Sequence, residues 1–173
     1  EGKRIQAHGG AMFYENNTFY WYGENKENTD GISSVWTSGI RFYSSKDLYN
    51  WKDEGIIVPP DPNEESPLHE SQRIDRPHIL YNDITKKYVM WVKTSGDKAC
   101  FTILTSDHLL GTYTIQKTDF RPLGKKVGDF DLAKDETNGN AYLYFDGDHK
   151  GMISVSLTDD YLDVCGQYTL DFG

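Results

Sequence analysis

Three short polar segments carry the residues of this sequence best suited to chemistry: Ala7-His8-Gly9-Gly10, Ile74-Asp75-Arg76-Pro77 and Val127-Gly128-Asp129. Each stands just before a run that reads as a strand: AMFY, HILYN and FDLAKD. Two carboxylates and a histidine are thus placed far apart in sequence but at the same point of successive segments. Carboxylates that converge on a cleft suit glycoside hydrolysis. One carboxyl group protonates the leaving oxygen while another activates water or tunes that acid. The plainer alternatives are an Asp75–Arg76 surface pair and an Asp129 turn cap. The shared position ahead of three strands favours a joint role.

What must position these residues is an all-β framework. The runs AMFY, TFYWYG, IRFYSS, HILYND, KYVMWVK, FTILTS, AYLYFDG and MISVSL are rich in aromatic and β-branched residues, with turn residues between them. A 3.6-residue periodicity is missing over any useful length. The runs also recur in order. Phe19-Tyr20-Trp21-Tyr22, Tyr88-Val89-Met90-Trp91 and Tyr142-Leu143-Tyr144-Phe145 align as the second strand of each copy. Ser45-Lys46-Asp47-Leu48, Ser106-Asp107-His108-Leu109 and Thr158-Asp159-Asp160-Tyr161 align as the turn after the third. A repeat of this size, with three or four short antiparallel strands, matches a propeller blade. Propellers close with four or more blades, so three copies predict part of a larger ring. A compact sandwich is the alternative use of the same strands. Blade one is expected over about 5–60, blade two over about 73–122 and blade three over about 126–173. The first strand of each blade lines the central channel, which would bring the three polar segments to one face.

Composition narrows the partners. The 173 residues carry a net charge of −9, and the lysine pairs 86–87 and 125–126 make no basic face. Nucleic acid is therefore not an expected partner. No apolar run approaches the roughly 20 residues of a membrane span. The 12 Tyr and 4 Trp fit strands, and they equally fit clefts that stack on sugar rings. Cys100 and Cys165 show neither metal spacing nor a disulfide framework and read as small core residues.

The motifs together resemble glycoside hydrolase family 43. The resemblance rests on Gln6-Ala7-His8-Gly9-Gly10, Tyr20-Trp21-Tyr22-Gly23-Glu24, Ser44-Ser45-Lys46-Asp47-Leu48 through Trp51, and Arg76-Pro77-His78-Ile79-Leu80-Tyr81-Asn82. It continues through Gly128-Asp129-Phe130-Asp131-Leu132 and Gly139-Asn140-Ala141-Tyr142-Leu143. These occur in the family's order over essentially the whole chain. The resemblance implies a five-bladed β-propeller, of which this chain covers about the first three blades. It implies inverting, exo-acting hydrolysis of terminal sugars of plant-type galactan or arabinogalactan side chains. Asp129 matches the aspartate that tunes and orients the general acid, the one catalytic position carried by this chain. His8, Gly9, Gly10, Glu24, Asp75 and Arg76 fall at substrate-binding positions. Trp21 alternates to the face opposite Glu24 and is expected in the core.

Two departures sharpen this. Most of the family has an aspartate base directly after the blade-one histidine, where this chain has Gly9. His-Gly-Gly relatives share that loss and include exo-acting galactan hydrolases. The family's general-acid glutamate stands at the start of blade four, so the expected partners are blades four and five together with an oligo- or polysaccharide. An inactive carbohydrate-binding propeller is the alternative. No cofactor is expected. Asp75, Asp129 and His8 are where a structural Ca²⁺ would bind, but the spacing does not specify its six to eight oxygens. A polysaccharide substrate implies a secreted or periplasmic protein, with no leader in the sequence to show it.

Overall fold

The computed structural model describes residues 2–171, and the expectations that touch Glu1 and residues 172–173 lie outside them. The described chain is all-β. The first sheet runs β1 (His8–Glu15), β2 (Thr18–Glu24), β3 (Ile40–Ser45) and β4 (Lys52–Val58). The second runs β5 (Ile74–Asn82), β6 (Lys87–Thr94), β7 (Cys100–Ser106) and β8 (Thr114–Phe120). The third runs β9 (Val127–Lys134), β10 (Ala141–Gly147), β11 (Met152–Leu157) and β12 (Val164–Asp171). In each sheet the spatial order is the chain order, so these are three four-stranded blades of the expected kind.

The repeated turn has one chemistry. Ser45 Oγ accepts from the amides of Asp47 and Leu48, and Asp47 accepts from those of Tyr49 and Asn50. Ser106 Oγ accepts from the His108 amide, and Thr158 Oγ1 donates to Asp160, which also accepts from the Leu162 amide. Short oxygen-bearing side chains replace ladder partners where the strand ends, which is why a turn led by Ser or Thr recurs.

Packing divides the chain into two units, one ending at Pro77 with Leu110–Thr112 added, the other starting at His78. In the first, Tyr22 and Phe42 stack at 5.1 Å beside Ile40, all fully buried. In the second, Val89, Trp91, Phe101 and Ile103 pack with Phe130, Leu132, Leu143, Phe145 and Ile153 in one core. Trp91 Nε1 donates to the Tyr161 carbonyl at 2.9 Å, which satisfies the one polar atom of a buried indole. Burying each such side chain contributes about 1.5–3 kcal/mol. Because β9 alternates, Phe130 and Leu132 turn into this core and Asp129 and Asp131 turn out of it. The core thereby fixes the direction of Asp129.

Two core expectations need correction. Cys100 is buried, but Cys165 is exposed on β12, which among the described residues is the outermost strand of its sheet. Trp21 is only half-buried, its ring edge-on to Trp51 at 5.5 Å. Its neighbour Tyr22 takes the core place. No helix is long and apolar enough to cross a membrane among the described residues.

Candidate active site

In the first unit the sequence forces the start of β1 close against the end of β2. His8 pairs with Glu24, and the register then slips before Ala11 pairs with Tyr22. A Cβ on Gly10 would lie 1.9 Å from the Tyr22 carbonyl oxygen, and one on Gly23 would lie 2.4 Å from the Ala7 carbonyl carbon. Only glycine fits either place. Gly9 has φ of 53°, and a Cβ there would stand 2.9 Å from Asp75 Oδ1. The glycine at the expected base position thus leaves room that the Asp75 carboxylate uses from β5. Arg76 also has a left-handed φ, 47°, inside a strand and directly before Pro77. A residue in that place normally stays extended, so strain is stored beside Gly9.

Glu24 is the electrostatic centre of this group. It is 5% exposed, forms an ion pair with Lys26 and hydrogen-bonds Asp75. Burial pushes its carboxyl up to about 7, an effect the Lys26 ammonium only partly offsets and the Asp75 carboxylate reinforces. His8 is pushed down, first by burial and then by the positive charges of Arg4 and Lys26. Lys26 Nζ also donates to the Trp36 carbonyl at 2.7 Å, and the Arg73 guanidinium lies 4.1 Å from the Trp36 ring centre. Trp36 and Thr37 amides both bond the Glu70 carbonyl, so the β2–β3 and β4–β5 loops are tied together at this rim. Gln6 Oε1, two residues before His8, and Asn25 Nδ2, directly after Glu24, are buried and lack a partner among the described residues. Such atoms in native proteins are met by water or ligand.

His8, Gly9, Gly10, Glu24, Asp75 and Arg76 therefore lie in one unit, and contacts bring Gly9, Glu24, Asp75 and Arg76 together. Asp129 belongs to the other unit. It is exposed, 3.7 Å from the Nζ of buried Lys93 on β6. Two residues along, Asp131 meets His78 Nδ1 at 3.0 Å, and the His78 ring lies edge-on to Phe130 at 4.9 Å. Sequence reasoning missed Lys26, Lys93 and Trp36. The available signal was a lone lysine at or just beyond the end of the first two apolar second strands, Tyr22-Gly23-Glu24-Asn25-Lys26 and Met90-Trp91-Val92-Lys93. Among the described residues no three His, Cys, Asp or Glu side chains are grouped to hold a metal.

This arrangement can bind a polyhydroxylated ligand. A neutral or ionised carboxyl, a second carboxylate, an imidazole and a guanidinium offer both donors and acceptors to hydroxyl groups, over backbone that glycine keeps low.

No family model matches the sequence, and no curated protein matches it. Solved structures do match. A family 43 β-1,3-galactosidase is 35% identical with a TM-score of 0.84 over 97% of this chain. An exo-β-1,3-galactanase from Phanerochaete chrysosporium, solved with galactose, is 27% identical with a TM-score of 0.84 over 98% of it. Another family 43 β-1,3-galactosidase, solved with galactodeoxynojirimycin, is 25% identical with a TM-score of 0.83 over 97%. The chain spans 36%, 40% and 62% of the lengths of these three proteins. Motif order, strand order and these likenesses agree: the chain belongs to glycoside hydrolase family 43, among its galactanase-like members.

Proposed function

We propose that the complete protein carrying this chain is a secreted or periplasmic inverting exo-glycosidase that removes terminal galactose from β-1,3-linked galactan chains. The carrying observation is Gly9: the side chain most of the family uses as base is missing, and the Asp75 carboxylate fills that space beside buried Glu24. His-Gly-Gly with acids in the first two blades is the pattern of the galactan-active members, and solved relatives named for that activity share 25–35% of this sequence.

In this reading the first unit holds the sugar. Glu24 and Asp75 take hydroxyl groups, His8 and Arg76 hydrogen-bond around them, and Gly9 and Gly10 let the ring approach the backbone. Asp129 holds a negative charge that tunes and orients a carboxylic acid supplied by the remaining blades, and that acid protonates the leaving oxygen. Water attacks the anomeric carbon from the opposite face and inverts it, as a general base in the remaining blades takes its proton.

The same glycine supports a second reading, a propeller that binds galactan without cleaving it. The test is to incubate the complete protein with β-1,3-galactan, larch arabinogalactan and aryl galactosides or arabinofuranosides, and to follow product by proton NMR. Release of α-galactose from β-1,3-galactan supports the proposal. Calorimetric binding without release supports the second reading, and release of arabinose alone refutes the galactan assignment.

A further inference from the structure

We propose that Lys93 is a positioning residue for Asp129, and that it is one instance of a device the blades repeat. The second strand of a sheet ends in an ionisable side chain that sets the charge beside the first-strand acid of the following sheet. The inference deepens the proposed function, because it assigns a partner to the acid that reading depends on.

The repetition is visible residue by residue. Glu24 is the last residue of β2, and it hydrogen-bonds Asp75, the second residue of β5. Lys93 is the next-to-last residue of β6, and its ammonium lies 3.7 Å from Asp129, the third residue of β9. Glu24 and Lys93 each stand five residues after the start of the aligned aromatic strands, Phe19 and Tyr88. The third sheet departs from this: Gly147 stands five residues after Tyr142, and the ionisable Asp146 one place earlier faces Gly128 of its own sheet. Gly128 leaves it room, since a Cβ there would lie 2.5 Å from Asp146 Oδ2.

Burial shows that the lysine is not an ordinary surface charge. Lys93 is 9% exposed, on the face of β6 that carries Trp91 into the core. An ammonium taken out of water is strongly unfavourable unless an anion is close. Asp129, directed outward by the alternation of β9, supplies that anion, and the fixed stem of Lys93 holds the carboxylate in turn.

The two pairs have opposite character. Asp129 faces a cation, whose attraction holds the carboxylate in a fixed orientation. Asp75 faces a second carboxyl group, and Glu24 exchanges its proton near neutral pH. A pair that keeps one proton both donates to and accepts from a sugar hydroxyl. One strand-end position therefore separates the two acids into a charge-setting role and a hydroxyl-holding role.

The test has two arms. In the chain itself, carboxyl-carbon NMR is recorded for wild type, Lys93→Met, Lys93→Gln and Lys93→Arg. The expected result is that the Asp129 resonance moves in Lys93→Met and Lys93→Gln and stays near its wild-type place in Lys93→Arg. An unmoved resonance in folded Lys93→Met or Lys93→Gln overturns the pairing. In the complete protein, loss of the charge lowers kcat on β-1,3-galactan about tenfold with KM within about twofold, the scale on which supporting partners act. Lys93→Arg recovers most of it. A Lys93→Gln enzyme with wild-type kcat, or a Lys93→Arg enzyme no better than Lys93→Gln, overturns the positioning role. If the wild-type protein cleaves no glycan, the functional reading fails, and the NMR arm still decides the pairing.

Discussion

Replacing Glu24 by glutamine should change how stability depends on pH, by an amount the structure fixes. The Glu24 carboxyl titrates at 4.5 when unfolded and at about 7 when buried beside Lys26 and Asp75. Between those values the folded chain holds a proton that the unfolded chain has released. Wild-type stability therefore falls as pH rises through this window, because the native state must give up the proton or keep it at a cost. The full gap corresponds to about 3 kcal/mol, of which about 2 kcal/mol develops between pH 5 and pH 8. Glutamine has no proton to lose, so Glu24→Gln removes this slope while other groups titrate as before. Urea unfolding of both chains at pH 5 and pH 8 measures it. The variant should gain about 2 kcal/mol relative to wild type on going to pH 8, about 4–8 °C in Tm for a chain of this size. Parallel pH profiles would refute the reasoning, since they would mean that Glu24 is ionised in both states across this range.

Two further predictions concern geometry. Gly9→Ala places a methyl group against Asp75 and forces an alanine to φ of 53°, at a cost of about 1–3 kcal/mol in denaturant unfolding. The double variant Gly9→Ala/Asp75→Ala should be more stable than the sum of the two single variants, by about 0.5–1 kcal/mol, because the contact is gone; additive values would show that Gly9 does not make room for Asp75. Trp91→Phe should cost about 1–3 kcal/mol through the unmet Tyr161 carbonyl, and Trp91→Ala about 3–5 kcal/mol through the cavity it leaves. Equal losses for the two would place the indole outside the shared core of the second and third sheets.

The strands were legible because their physics is local. Alternation, aromatic content and the Ser/Thr-led turns each act within a few residues, and side-chain oxygens at Ser45, Ser106 and Thr158 make hydrogen bonds within all three turns. Gly9 and Gly10 were noticed for the same reason, as glycines where backbone must come close. What stayed hidden depends on distance across sheets and loops. Nothing near Lys93 in sequence says that β9 will carry Asp129 to it. Lys26 gains its place only when the β2–β3 loop folds back to offer the Trp36 carbonyl. Cys165 looks like a core residue in sequence, and it is exposed on β12, which among the described residues has a strand on only one side.

In the proposed function this chain supplies the sugar-holding group and the charge-setting aspartate of a galactan hydrolase. The most direct measurement is the initial rate of galactose release from β-1,3-galactan by the complete protein and by its Asp129→Asn variant. The wild type should turn over clearly, and kcat should fall about a hundredfold when the Asp129 charge is removed. No release by the wild type, or an Asp129→Asn enzyme as fast as the wild type, would contradict it.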